Sequence, residues 1–234
     1  MNVIYMMKKS VDELNGFFLF ILNRNTLNNM RLICLADTHN LHREIPIPDG
    51  DVLIHAGDCT DGGTRNETEK FLKWFSSQSH PHKILVPGNH DFYFEKPENT
   101  KKVPENIDLL IDKGIEINGI QFWGSPVTPG LHNWAFSRER GKEIRRHWEL
   151  IPETTDILIT HTPAFGILDE ISSGIKVGCE ELAKILPLVQ PNYHLFGHIH
   201  HAFGETKRSA IDFFNLSMVD ERMRIIHSPI IIEI

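Results

Sequence analysis

The chain has 234 residues, of which 41% are hydrophobic and 24% are charged, so it is long enough to form one globular domain with a substantial core. Its formal net charge of -7 leaves no basic excess to displace the counterions of a nucleic-acid backbone, which argues against a nucleic-acid polymer as the substrate. The three cysteines, Cys34, Cys59 and Cys179, form no CxxC pair, which argues against a disulfide framework and predicts a reducing, cytoplasmic location.

The chain begins with a segment that we expect to lie outside the domain. Its apolar run at residues 16–22, GFFLFIL, is too short to cross a bilayer. The residues that follow, 23–25, are not the small residues of a signal-peptide cleavage site. Met30 stands directly before the first strong strand pattern. We therefore expect residues 1–29 to be a dispensable extension, residues 30–234 to form the domain, and no membrane to be involved.

From Met30 onward, short apolar runs alternate with amphipathic stretches, which is the pattern of an α/β fold. Buried strands are predicted at 31–36, 51–56, 83–86, 120–123, 156–160 and 193–196. Helices are predicted at 66–77, 104–113, 137–148 and 178–186, and two closing strands at 210–215 and 229–234. Two packed sheets flanked by helices are the expected architecture.

Polar side chains with metal-binding groups follow these strands with unusual regularity. They are Asp37 and His39 after the first strand, Asp58 after the second, Asn89, His90 and Asp91 after the third, His161 after the strand at 156–160, and His198 and His200 after the strand at 193–196. In open α/β sheets, ligands gather in the crevice beyond the carboxyl ends of the strands. We therefore expect these loops to converge at one edge.

The donor types and their spacing predict a site for two divalent cations. Asp37 and His39 are two residues apart, so on an extended chain both point to the same side, and His198 and His200 repeat this spacing. Asp58 can bridge two cations with its two oxygens. The set combines carboxylate, amide and imidazole donors without a thiolate, which suits Mn, Fe, Zn or Co, with Mn favoured.

Glycine precedes a metal-binding residue at three strand ends, at Gly57, Gly88 and Gly197. Because glycine lacks a Cβ atom, it tolerates positive φ and lets the backbone approach its neighbours closely. These glycines are therefore expected to allow tight packing around the metal ligands.

Taken together, these motifs resemble the calcineurin-like metallophosphoesterase superfamily. The matching motifs are DTH at 37–39, GD at 57–58, GNHD at 88–91, TH at 160–161 and GHIH at 197–200. The chain is most similar to the small metallophosphoesterase-domain-containing branch, through WGSPVTP at 123–129, NWAF at 133–136, THTPAFGILD at 160–169, GCEEL at 178–182 and FGHIHHAFG at 196–204. Ala164 replaces a proline and His201 an acidic residue found in that branch, which we expect to affect loop shape and substrate preference.

The resemblance implies a four-layer α-β-β-α sandwich and the hydrolysis of small-molecule phosphodiesters, including cyclic nucleotides. It assigns one metal to Asp37, His39, Asp58 and His200, and the other to Asp58, Asn89, His161 and His198. A hydroxide bridging the metals would attack phosphorus. His90 would neutralise charge and protonate the leaving oxygen, and Asp91 would accept a hydrogen bond from His90.

Two other functions remain open from the sequence. The same metal centre could hydrolyse phosphomonoesters or the ends of DNA and RNA, or the domain could be a non-catalytic metal-binding scaffold.

Outside the metal centre, His55 and His194 are expected to be core histidines. Trp123, Trp134 and Phe136 are also interpreted as core residues rather than as a surface for substrate. Arg138 and Arg140 fit either phosphate binding or a solvated helix face.

Overall fold

The computed structural model describes residues 30–130 and 132–234, and the expectation for the extension at 1–29 lies outside these ranges. The strands are β1 (Arg31–Leu35), β2 (Val52–His55), β3 (His82–Leu85), β4 (Asp108–Leu109), β5 (Lys113–Ile117), β6 (Ile120–Ser125), β7 (Thr128–Pro129), β8 (Ser137–Arg138), β9 (Ile157–Thr160), β10 (Tyr193–Phe196), β11 (Gly204–Arg208), β12 (Ile211–Asn215) and β13 (Ile230–Glu233). The α-helices are α1 (Arg65–Ser76), α2 (Pro97–Thr100), α3 (Lys142–Trp148) and α4 (Glu180–Val189).

The strands form two large mixed sheets and one small pair. The first sheet has the order β13-β1-β2-β3-β4, and the second has the order β11-β12-β10-β9-β6-β5. In the first sheet β1 to β4 are parallel and β13 is antiparallel. In the second, β12, β10, β9 and β6 are parallel, with antiparallel edge strands β11 and β5. The parallel strands of each sheet thus end at a common edge.

The main core lies between the two sheets. Cys34 and Ile54 from the first sheet pack in one buried cluster with Phe122 and Ile159 from the second. Burying such side chains from water is the dominant favourable term in holding the sheets together.

The outer face of each sheet is covered by helices. Phe71 and Phe75 of α1 belong to a second cluster on the first sheet. Trp148 of α3 and Leu182 of α4 belong to a third cluster on the second sheet. The order of layers is therefore α-β-β-α, which confirms the predicted fold class. None of the helices in the described ranges has the length and apolar character needed to cross a membrane.

Helix α1 begins at a capping box. The backbone N–H of Glu67 donates to the Thr64 hydroxyl at 3.3 Å, and the Glu67 carboxylate accepts from the backbone N–H of Thr64 at 2.8 Å. This exchange satisfies two N–H groups that a helix start leaves without partners. The helix predicted at 66–77 is thereby confirmed.

The helix predicted at 104–113 is wrong. This segment contains β4, which pairs with the edge of β3 through Ile84 opposite Asp108, and the Leu110 N–H donates to the Leu85 carbonyl at 2.9 Å. Asp112 then has a φ of 49°, which a helix does not tolerate. Pairing with an open sheet edge outweighs the local amphipathic pattern.

The helix predicted at 137–148 begins later than expected, at Lys142. Its first two predicted residues form β8, which pairs with β7. Gly141 separates strand from helix, with φ 83° and ψ −129°, a conformation that glycine adopts at low cost.

We predict that Phe122→Ala lowers the free energy of unfolding by about 3–5 kcal/mol, because Phe122 is 1% exposed between the two sheets. Urea denaturation with an unchanged m-value measures this loss. Leu188→Ala is the matched control, since Leu188 is 66% exposed, and it should cost less than about 0.5 kcal/mol. Equal losses in the two variants would contradict the placement of the core.

Candidate metal centre

Side chains from five loops meet at the edge where the parallel strands end. Each loop directly follows a strand: β1 leads to Asp37 and His39, β2 to Asp58, β3 to Asn89, β9 to His161, and β10 to His198 and His200. The sequence-predicted ligands are therefore brought together from distant parts of the chain, as expected.

One cluster combines Asp37, His39 and His200, whose ligand atoms all lie within 4.8 Å of one another. The Nε2 atoms of His39 and His200 are 3.3 Å apart. Asp37 is fully buried, and its Oδ2 accepts a hydrogen bond from the His198 backbone N–H at 2.8 Å. Its Oδ1 has no hydrogen-bond partner among the described residues. A buried carboxylate oxygen without a donor is costly unless a cation occupies the place beside it.

A second cluster combines Asp58, His161 and His198 within the same distance limit. His161 Nδ1 lies 2.9 Å from the Ala56 carbonyl, so it is the protonated nitrogen, and Nε2 carries the lone pair of the neutral ring. This Nε2 faces Asp58 Oδ2 at 3.2 Å and Asn89 Oδ1 at 3.0 Å. Three electron-pair donors converge, and such an arrangement requires a metal ion or a proton between them.

The pKa shifts of His161 and Asp58 also indicate that this cluster favours a positive charge. Burial by itself lowers the pKa of His161, but the carboxylates of Asp58 and Asp37 outweigh it and raise the pKa to about 9. Burial opposes ionisation of Asp58, yet His161 and His39 hold its pKa well below the usual range. A cation would take the place of the proton on His161, so the residues fit a divalent metal.

Asp58 links the two clusters. It also forms a group with His39 and His90, again with ligand atoms within 4.8 Å. Its Oδ2 is 3.2 Å from His161 Nε2 and 3.9 Å from His39 Nε2, one from each side. A carboxylate in this position could be shared by a cation in each cluster.

Comparisons with known proteins agree with this geometry. Residues 30–202 match the family model described as calcineurin-like phosphoesterase. The chain belongs to the calcineurin-like phosphoesterase family. It is 36% identical to human metallophosphoesterase domain-containing protein 1 over 230 residues, covering 87% of this chain and 71% of that protein. It is 35% identical to UPF0046 protein K07C11.7 of Caenorhabditis elegans over 217 residues, covering 86% of this chain and 74% of that protein.

Solved structures of the same fold were also found. TT1561 of Thermus thermophilus superimposes with a TM-score of 0.56 at 13% identity, covering 80% of this chain and 89% of that chain. The phosphopantetheinyl hydrolase PptH of Mycobacterium tuberculosis gives a TM-score of 0.54 at 15% identity, covering 83% and 91%. At such identities, the likeness concerns the fold alone.

The backbone of this phosphoesterase is strained at several of the candidate metal-binding positions. Asp37, His39, Asp58 and His198 have φ values of 53°, 39°, 54° and 70°, in the left-handed region that non-glycine residues rarely adopt. Each such residue costs on the order of 1 kcal/mol or more and persists only where the surroundings enforce it.

Two of the three glycines predicted to allow close packing do so directly against the carboxylates. A Cβ at Gly88 would overlap Asp58 Oδ1, and a Cβ at Gly197 would lie 2.5 Å from Asp37 Oδ2. Gly57 needs glycine for a second reason, since its φ is 103°. The carboxylates thus occupy space that a side chain at Gly88 or Gly197 would fill.

His90 lies at the open side of the centre. Its Nε2 is 4.0 Å from Asp58 Oδ2, and its side chain is 16% exposed. Its Nδ1 lies 2.6 Å from the backbone carbonyl oxygen of Asp61, and its backbone N–H donates to Asp58 Oδ1 at 2.8 Å. His90 is therefore oriented with Nε2 toward the site.

The hydrogen bond predicted from His90 to Asp91 is wrong, because Asp91 points into the protein. Its carboxylate accepts from the backbone N–H groups of Gly88 at 2.8 Å and Thr60 at 3.0 Å, and from the Thr60 hydroxyl at 2.7 Å. Asp91 therefore ties the loop after β2 to the loop after β3. Burial and the charge of Asp58 raise its pKa.

Sequence reasoning missed the residue that orients His90. Asp61 acts through its backbone carbonyl, which no side-chain pattern reveals. The available signal was its position just after Asp58 in a turn rich in glycine, DCTDGG at 58–63.

The two histidines expected in the core and the two arginines considered for phosphate binding have structural partners. His55 Nε2 lies 3.0 Å from the Thr38 hydroxyl, and His194 Nε2 lies 2.8 Å from the Thr160 hydroxyl, so both are buried core histidines as predicted. Arg140 donates to the Gly178 and Val177 carbonyls and pairs with Glu180, while Arg138 contacts His147.

Phe136 and Trp134, both interpreted as core residues, differ in their exposure to solvent. Phe136 is 5% exposed and belongs to the core. Trp134 is 40% exposed, so the interpretation as a core residue is wrong for it.

We predict that Gly88→Ala weakens Mn²⁺ binding by about tenfold or more, because the added methyl group would displace the carboxylate of Asp58. Isothermal titration calorimetry of the folded variant measures the change. Gly119→Ala is the control: it also adds a methyl group, in open space at the turn between β5 and β6, and its φ of 83° makes it strain the backbone far from the candidate ligands. Wild-type affinity in both variants would show that close packing at Gly88 does not position the ligand.

Proposed function

We propose that this phosphoesterase is a dinuclear-metal-dependent phosphodiesterase acting on small molecules, with cyclic nucleotides among its candidate substrates. The observation that carries the proposal is the position of Asp58 between two clusters of imidazole and oxygen donors. A single carboxylate shared in this way is suited to a pair of cations and not to one isolated ion.

We assign one metal to Asp37, His39, Asp58 and His200, and the other to Asp58, Asn89, His161 and His198. Two divalent cations held there would lower the pKa of a water molecule toward neutrality and neutralise charge on the phosphate. We favour Mn²⁺ among Mn, Fe, Zn and Co, because four imidazoles and three oxygen-donor residues provide intermediate ligands without a thiolate. The free, buried cysteines support a reducing cytoplasmic compartment.

His90 is assigned as the catalytic residue. Its Nδ1–H donates to the Asp61 carbonyl, which leaves Nε2 directed toward the reacting phosphate. A proton on Nε2 neutralises charge on the phosphate oxygens and can pass to the oxygen of the leaving group. Asp91 is a positioning residue in this scheme, because it holds the loop that carries His90 rather than the ring itself.

The charges around the centre favour diesters over monoesters. The exposed carboxylate of Asp61 lies 3.9 Å from His39 Nδ1 and 4.0 Å from His90 Nδ1, beside the candidate centre. It repels a dianionic monoester more than a monoanionic diester. The two arginines considered for phosphate binding, Arg138 and Arg140, are engaged elsewhere.

We expect Mn²⁺-dependent hydrolysis of bis-p-nitrophenyl phosphate with a higher kcat/KM than for p-nitrophenyl phosphate. Asp58→Asn should reduce kcat/KM for the diester by about 100-fold or more, because it removes the charge that both clusters share. Steady-state release of p-nitrophenol measures both effects. Faster cleavage of the monoester would instead favour a phosphomonoesterase, and metal binding without any turnover would favour a non-catalytic scaffold.

We expect His90→Ala to lower kcat for bis-p-nitrophenyl phosphate by about 100- to 10,000-fold and to leave Mn²⁺ affinity unchanged, because His90 acts on the substrate and is not assigned as a ligand. Calorimetry and kinetics on the same sample separate the two properties. His82→Ala is the control, since His82 lies at the opposite end of β3 from the centre. Full activity in His90→Ala would remove His90 from the mechanism.

A further inference from the structure

Trp134 differs from the residues that follow it by lying at the surface. Its side chain is 40% exposed, whereas Ala135 is fully buried and Phe136 is 5% exposed. Leaving a large apolar ring partly in water forgoes the free energy of its burial. A ligand that covered this ring would recover part of that free energy.

The indole lies directly beside the proposed catalytic histidine. Its ring centroid is 4.4 Å from that of His90, with an angle of 47° between the rings. On the same side it stacks near Phe92, with centroids 6.0 Å apart and 29° between the planes. These contacts support one part of the indole, and the rest of it is exposed beside His90.

The backbone around Trp134 is tied to the metal-binding loop. The Ala135 N–H donates to the carbonyl oxygen of Asn89 at 3.1 Å, and the Phe136 N–H donates to Glu95 Oε1 at 2.9 Å. Asn133 and Phe136 have positive φ values of 65° and 55° on either side. The position of the indole relative to the centre is thus set before substrate arrives, which reduces the entropy lost on binding.

We propose that Trp134 is a specificity-determining residue whose exposed indole stacks on a planar aromatic ring of the substrate. The preferred substrates are then phosphodiesters that carry such a ring near the phosphate, as nucleotides do. This inference rests on the proposed phosphodiesterase function. Stacking on an indole tolerates different bases, because every base presents a flat π-face, so the site selects for a ring and not for one base.

The test compares two substrates that share a five-membered cyclic diester and differ in the attached ring. These are adenosine 2′,3′-cyclic phosphate and glycerol 1,2-cyclic phosphate, assayed with the Mn²⁺-loaded full chain. The readout is the ratio of their kcat/KM values. Trp134→Ala should lower this ratio by about 10- to 100-fold, chiefly through KM for the adenosine substrate. Trp134→Phe, which keeps a ring, should retain most of the ratio.

Leu188→Ala serves as the matched control, because it removes an exposed apolar side chain from α4 and should leave the ratio unchanged. If Trp134→Ala lowers kcat/KM for both substrates equally, the indole acts only by supporting His90, and the proposal is overturned. An unchanged ratio in Trp134→Ala overturns it as well.

A binding measurement separates failure of this inference from failure of the proposed function. If the wild type hydrolyses neither cyclic diester, the phosphodiesterase assignment fails, but stacking remains measurable by equilibrium dialysis. Binding of adenosine 3′-monophosphate that is about 10- to 100-fold weaker in Trp134→Ala than in the wild type, with unchanged binding of glycerol phosphate, supports the proposal. Equal affinity of wild type and variant for adenosine 3′-monophosphate overturns it.

Discussion

The buried carboxylate of Asp58 and the ring of His161, 3.2 Å apart, form the interaction on which the rest of the site depends. An ionised carboxylate without a positive partner would cost several kcal/mol in such surroundings. Two sheets must therefore bring their strand ends together closely enough for imidazoles from the second sheet to reach a carboxylate from the first. The sandwich stabilises this arrangement through apolar packing between the sheets, while the centre itself opposes folding until positive charge is present.

Parallel strand order explains how the chain achieves this convergence. Because β1, β2 and β3 run in the same direction, as do β9 and β10, every candidate metal-binding residue follows a strand at the same edge. The backbone then determines how closely neighbouring loops can approach these side chains. A Cβ atom at Gly88 or Gly197 would overlap the carboxylate of Asp58 or Asp37. Glycine at these two positions therefore allows the carboxylates to lie where they do.

The strands and the convergence of the candidate ligands could be predicted from the sequence because each of these residues stands at a short, fixed distance after an apolar run. The segment at 104–113 could not, since its pattern suits a helix and only the open edge of β3 makes it a strand. The contacts of His90 and Asp91 could not be predicted from the sequence either. Although adjacent, the two side chains point in different directions, and their partners, Asp61 and Thr60, belong to another loop. Local periodicity carries no information about such pairings.

The reaction of this phosphoesterase and its choice of substrate would depend on different side chains. Cations at this centre would contact only the phosphate group, so they would not distinguish substrates by the groups attached to it. Discrimination must come from side chains just outside the metal ligands. Trp134 occupies such a place, and its loop is joined to the centre through one backbone hydrogen bond, from the Ala135 N–H to the Asn89 carbonyl. Substitutions in this loop can therefore change what is bound while the ligands on the strand ends, and the reaction they support, stay the same.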